Sequence, residues 1–333
     1  MKAMKIVAGL ALVTAMLGAQ AAGAEYDAAK VAGHESCAEC HASESTAWKK
    51  TPHSATWDTL HTKDEAKAIA EKMGVRSVKR GDLCLNCHYT RKDEGGIKPI
   101  SGVSCESCHG PAAGWIKLHN DYGGPDVKKE AESPAHKAER FQKAMAGGML
   151  PPDDIYLVAQ NCYNCHTVPN EKLVNTGGHK AGSEGFELVA WSQGMVRHNY
   201  HRTGGKTNEA SKPERLRVMY VVGLMVELEY SLRGVAPATE KAAYAVTMAK
   251  RAKAAREKLA SVQAKAQIPE VASALEVAEG AKLSLNNAEA LNAAAEKVAA
   301  AAKAFSSKAD GAKLAAVDEF LPKADQYKGQ PSP

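Results

Sequence analysis

Aromatic side chains are scarce: 4 Phe, 4 Trp and 10 Tyr serve a chain of 333 residues. That is thin for a conventional core of this size, so other apolar material must help fill the interior. Long hydrophobic runs are absent after the first 24 residues. The best later stretch, Val218 to Val226, meets Glu227 and Glu229 at once, which excludes a membrane span there. A concentrated basic patch is missing too. Residues 25–212 carry 24 Lys and Arg against 24 Asp and Glu, and residues 213–333 carry 17 against 14, so no nucleic-acid partner is expected. No Cys, His or Trp follows His201, which confines metal and thiol chemistry to the earlier part of the chain.

Residues 1–24 read as a secretory signal peptide. Lys2 and Lys5 precede an apolar run from Ile6 to Gly18, and Ala22-Gly-Ala24 is a small-residue cleavage site. Cleavage near Ala24 is expected to leave a soluble periplasmic or extracellular protein.

In an exported chain an even cysteine count would by default mean disulfides. Here all eight cysteines fall in four identical patterns: Cys37-Ala-Glu-Cys40-His41, Cys84-Leu-Asn-Cys87-His88, Cys105-Glu-Ser-Cys108-His109 and Cys162-Tyr-Asn-Cys165-His166. Cys-x-x-Cys-His is the c-type haem attachment signature. Cysteines three apart share one side of a helical turn, where both thiols can add to the two vinyl groups, and the next residue offers an imidazole to the iron. The expected cofactors are four covalently bound c-type haems, with His41, His88, His109 and His166 as proximal ligands. Zinc ribbons and redox dithiols explain the repetition less well. Four flat macrocycles also supply the apolar interior that the composition lacks.

The motifs begin at residues 37, 84, 105 and 162 with no fixed period. The expected fold is mainly α: a haem-packed domain with much loop over residues 25–212, then an Ala-rich helical bundle over 213–326 and a disordered tail over 327–333. The bundle has 28 Ala among the 80 residues from Lys241 to Phe320. Leu216, Tyr220, Leu224, Leu228 and Leu232 form an i, i+4 stripe on a helix that Gly234 and Pro237 should end. Further helices are expected over about 239–265, 270–282, 288–306 and 312–321. Such Ala-rich helices could also be loosely packed, because Ala buries little surface.

Twelve histidines are present, so eight remain after the proximal four: His34, His53, His61, His119, His136, His179, His198 and His201. They permit a second ligand on every iron, or leave a face open to a small molecule.

Trp48 with His53 five residues on, the run Gly102-Val-Ser-Cys-Glu-Ser-Cys-His-Gly-Pro111, and His119 ten residues after His109 resemble the tetrahaem cytochrome c-554 family of electron carriers, over roughly residues 31–201. The resemblance implies His119 as distal ligand of the first haem, His53 of the third and, from the helix after the last motif, His198 of the fourth, with His201 as its rival. It also implies a five-coordinate haem on His88. His179, in Thr176-Gly-Gly-His-Lys180, departs from the family pattern and offers that iron a ligand. His34, His61 and His136 are expected to be ordinary surface or hydrogen-bonded residues, and Trp48, Trp115 and Trp191 to be core filling.

The leading expectation is a periplasmic electron carrier with mostly bis-histidine haems and no catalytic residues. Its partners would be redox proteins, with the C-terminal helices available for docking or homo-oligomer formation. Two alternatives stay open at this stage: an oxidoreductase acting on a small nitrogen, sulfur or oxyanion substrate at the His88 haem, and a subunit of an extracellular haem filament.

Overall fold

The computed structural model describes residues 26–333; the signal-peptide reading falls on residues outside this range. The chain is mainly helical, at 59% helix and 4% strand, as the composition and spacing led us to expect. Among the described residues no helix is long and apolar enough to cross a membrane.

The part that carries the cysteines is a succession of short helices joined by loops. The first motif begins in His34–Ala38, the second lies in Asp82–His88, the third forms Cys105–His109, and the fourth ends the longer helix Ile155–His166. An antiparallel hairpin, Tyr89–Asp93 with Ile97–Gly102, joins the second motif to the third. Asp93 accepts the Gly96 N–H at its turn. This hairpin was not anticipated, because Pro99 and the paired glycines read as loop.

Apolar packing in this first stretch is sparse. One small cluster of buried residues gathers Ala112, Trp115, Ala144 and Met149. Polar contacts do much of the holding instead. The Glu106 side chain, inside the third motif, is buried and accepts the N–H groups of Ala32, Gly33 and Ala112 at 2.7–2.8 Å. Gly33 adopts φ 109°, which disfavours other residues, and precedes the helix that opens the first motif. One carboxylate therefore ties the first motif to the third.

The main core lies elsewhere. The helix Pro213–Val235 starts with Pro in its first turn, where a missing N–H costs nothing. Val218 to Glu229 are all buried, so the helix is enclosed on every face rather than along the single leucine stripe. It packs against Ala243–Ala266, Ala288–Lys308, Ile155–His166, Leu188–Ser192 and the 3-10 segment Gly311–Phe320. The alanines make this enclosure dense. Ala252, Ala255, Ala274, Ala295, Ala299 and Ala302 are all buried at helix contacts, where small side chains let backbones approach closely. Gly223 faces Leu188, and a Cβ there would lie 2.9 Å from the Leu188 Cβ.

This apolar cluster does not stop at residue 212. Ile155, Tyr156, Ala159, Tyr163, Val174, Leu188 and Val189 belong to the same cluster as the C-terminal helices. Nor is the tail loose, contrary to expectation. Lys328 donates its N–H to the Ala190 carbonyl and accepts the Met195 N–H, each at 2.9 Å. Asn208 donates to the Ser332 carbonyl at 2.8 Å, and the Tyr200 hydroxyl donates to that of Pro333. Long-range backbone pairing of this kind leaves no mark in the polar tail sequence.

Two outcomes follow. Glu106→Ala leaves three buried donors without their acceptor, and should lower stability by about 3 kcal/mol or more, read as the urea midpoint of the haem-loaded protein. Cutting after Lys212 strips the apolar partners from the fourth-motif helix. At roughly 1.5–3 kcal/mol per large side chain uncovered, that exceeds an ordinary stability margin. The truncated chain should be protease-sensitive and short of haem, as limited trypsin digestion and haem quantification would reveal.

Candidate functional site

All eight cysteines are free thiols, so the disulfide reading finds no support in the geometry. Among the described residues no three His, Cys, Asp or Glu side chains converge as a metal cage, so the zinc-ribbon reading finds none either. The motifs instead form a file. The first-motif helix His34–Ala38 packs on Cys105–His109, and Cys165 Sγ lies 4.0 Å from the Asn86 carbonyl inside the second motif. Asn161, one residue before the fourth motif, donates to the carbonyls of Ser107 and Cys108 at 2.9 and 3.2 Å. The spatial order is therefore first, third, fourth, second.

Each proximal histidine faces another imidazole. The ring centres are 6.3 Å apart for His41 and His119, and 6.2 Å for each of His88 and His179, His109 and His198, and His53 and His166. Two metal–nitrogen bonds of about 2 Å and two ring radii of about 1.1 Å place the centres of a linear bis-imidazole iron roughly 6.2 Å apart. The donor set thus fits four six-coordinate haems.

Hydrogen bonds fix which ring nitrogen is free. His119 Nδ1 is 2.8 Å from the Ile116 carbonyl, His179 Nδ1 2.8 Å from that of Lys180, and His198 Nδ1 2.7 Å from that of Val196. A carbonyl can only accept, so each Nδ1 carries the proton and Nε2 presents a lone pair. His166 Nδ1 lies 2.7 Å from Ser183 Oγ. Burial pushes His88, His109 and His166 down to about 4, helped by the facing His179 and His198 at the first two and by His53 at the third. Burial also lowers His53 and His119. Neutral imidazoles are what an iron requires.

Neighbouring segments set these rings in place. The Pro52–Thr59 helix is capped by Thr51, which accepts the Ser54 N–H at 3.3 Å. The Thr56 hydroxyl lies 2.8 Å from the carbonyls of both His53 and His88, and Val103 donates its N–H to the His53 carbonyl at 3.0 Å. Arg140, paired with Glu132 at 2.6–2.7 Å, donates to the His119 carbonyl. Trp115 stands edge-on to His119 at 5.2 Å, and Trp191 edge-on to His166 at 5.2 Å. Trp48 lies against His34 at 4.7 Å between ring centres with the planes tilted by 49°, away from any facing pair.

One expectation is corrected in its pairing. The resemblance put His53 with the third motif and His198 with the fourth; the structure pairs His53 with His166 and His198 with His109. The exchange comes from the docking of the His53 helix on the second motif and on the chain before Cys105, which aims its ring at the fourth motif. The remaining histidines are engaged otherwise. His136 pairs with Glu132 at 2.8 Å, and His34 Nε2 lies 3.2 Å from Glu35. His61 lines a cavity with Ala70, Val75 and Val78. His201 is 5.8 Å from His41 between ring centres, but its Nε2 contacts Lys129 Nζ at 2.8 Å. Ser183, Glu106 and Arg140 escaped sequence reasoning, because their partners are remote in sequence or are backbone groups.

Residues 36–110 match the family model described as cytochrome c554 and c-prime. Cytochrome c-554 of Nitrosomonas europaea is 31% identical over 141 residues, which cover 39% of this chain and 60% of that protein. No solved structure matches significantly. The likeness and the attachment motifs agree in kind: over its matched part the chain is similar to the cytochrome c-554 family, and the likeness implies covalently bound c-type haem.

Proposed function

We propose that the chain is a periplasmic tetrahaem electron carrier in which every iron is held between two histidines: His41 with His119, His88 with His179, His109 with His198, and His166 with His53. The observation that carries this reading is the common spacing of 6.2–6.3 Å in the four facing imidazole pairs. When bound, c-type haems supply reversible one-electron chemistry.

The protein's own residues would do the rest. Cys37, Cys40, Cys84, Cys87, Cys105, Cys108, Cys162 and Cys165 anchor the cofactors as thioethers. The packing of the first motif on the third and the approach of Cys165 to the Asn86 carbonyl of the second bring the attachment edges of successive sites together, which suits transfer between neighbouring centres. Neutral, carbonyl-oriented imidazoles hold low-spin iron and exclude small ligands. His179 is the residue that argues against an open iron on His88, and so against substrate chemistry there. The first and second motifs lie at the two ends of the file, and these are the places where donor and acceptor redox proteins would approach.

The purified protein should contain four haems by pyridine haemochrome assay. Its oxidised EPR spectrum should be wholly low-spin, and its reduced spectrum should not change on adding carbon monoxide. A high-spin, carbon-monoxide-reactive iron in the native protein would overturn full bis-histidine ligation. His179→Ala should convert one iron of the four to a high-spin, carbon-monoxide-binding form and leave the haem count intact.

A further inference from the structure

The fourth-motif histidine is the one proximal ligand joined to the C-terminal helices through polar groups. Ser183 receives its ring: Nδ1 to Oγ is 2.7 Å, and Ser183 also donates its backbone N–H to the His166 carbonyl at 2.8 Å. Phe186 stacks on the same ring at 4.4 Å with an interplanar angle of 15°. Behind this loop stands Arg251, from the Ala243–Ala266 helix. Its Nη1 lies 3.5 Å from the Ser183 carbonyl, and a Cβ on Gly182 would come within 2.8 Å of Nη1. Gly182 has φ 86°, so both its conformation and the approach of the guanidinium call for glycine.

The other side of the guanidinium meets Glu227 of the central helix in a two-point ion pair, each contact 2.7 Å. Both side chains are largely buried, at 13% and 12% exposure, so their charges are poorly screened. Glu227 is also met by the Ser231 hydroxyl at 3.2 Å. The pair is directional: its positive end points at the Ser183 loop and His166, and its negative end points away into the helices.

We infer that Arg251, Glu227 and Ser183 are positioning residues for the fourth haem, through which the C-terminal helices set that iron's reduction potential. The inference rests on the proposed ligation of that haem by His166 and His53. A positive charge near an iron favours its reduced state, so the oriented Arg251–Glu227 pair raises the potential. The Ser183 oxygen, accepting from Nδ1–H, makes the imidazole a stronger donor and lowers it. The C-terminal helices are then part of the redox machinery.

Potentiometric titration of the intact haem-loaded protein, followed optically and by EPR, tests this against Arg251→Gln, Glu227→Gln, Ser183→Ala and the double variant with both Gln. Arg251→Gln should move one of the four transitions to lower potential. Glu227→Gln, which leaves an unpaired cation, should move the same transition upward, as should Ser183→Ala. The double variant keeps a neutral hydrogen-bonded pair and should fall between the two single charge variants. A variant that loses haem is replaced in the comparison by the double variant and Ser183→Ala. Four unmoved transitions with haem content intact would overturn the inference while leaving the ligation standing. A haem count below four in the native protein, or an EPR spectrum that stays wholly low-spin on His53→Ala substitution, would instead overturn the ligation itself.

Discussion

Two imidazoles can share an iron only if their nitrogens face each other across a gap one metal atom wide. Everything near the four facing pairs is arranged around that requirement. The proximal member of each pair is placed by local chain geometry, since it follows its two cysteines directly. The distal member comes from sequence far away: 78 residues separate His41 from His119, and 113 separate His53 from His166. Long-range docking must therefore deliver an imidazole to within a fraction of an ångström, a harder task than forming the attachment helix. Polar contacts do this in the first stretch of the chain, where Glu106, Thr56 and Arg140 bind backbone groups of the segments that carry the histidines.

The choice of backbone carbonyls as partners for Nδ1 has a chemical consequence. A carboxylate there would pull the ring toward imidazolate and couple the iron strongly to pH. A carbonyl fixes the tautomer with a milder effect on donor strength. His119, His179 and His198 all follow the carbonyl pattern, whereas His166 alone among the pairs meets a hydroxyl. The His53–His166 pair thus differs from the other facing pairs in the group that polarises one of its rings. A set of electron-transfer centres benefits from such differences, because identical potentials give no direction to flow.

The attachment sites were legible because their chemistry is local: two thiols and an imidazole on one turn must be adjacent in sequence. The long C-terminal helices were legible for a similar reason. Their Ala, Leu and Lys content favours helix residue by residue, and Pro213, Pro237 and Pro269 punctuate it. What could not be read was partnership. The family resemblance and the structure both set His119 opposite His41, but they exchange His53 and His198, because a spare histidine carries no mark of the ring it faces. Glu106 looked like an ordinary variable position inside a motif, yet its carboxylate bridges two of them. The tail looked disordered because it is held through its own main chain, by the backbone of Ala190 and Met195 and by the side chains of Tyr200 and Asn208, which no side-chain pattern in the tail reports.

The helical part was expected to be a bundle of its own over residues 213–326, available for docking, and the physics of its contacts ties it to the preceding chain. A docking module would meet its neighbour through a modest, partly polar surface. Here the helix that ends in the fourth motif lies in the same apolar cluster as the central C-terminal helix. Two buried acids sit on that central helix: Glu229 accepts from Tyr156 across the junction at 2.9 Å and from Arg233 of its own helix at 2.9 Å, and Glu227 pairs with Arg251 of the following helix. Burial raises the proton affinity of both carboxyls. Replacing such a pair with apolar residues can cost little, but removing one partner leaves a stranded charge. Buried ion pairs are a poor source of raw stability and a good source of fixed orientation. Where ring placement and local field matter, orientation is the property that makes their desolvation worthwhile.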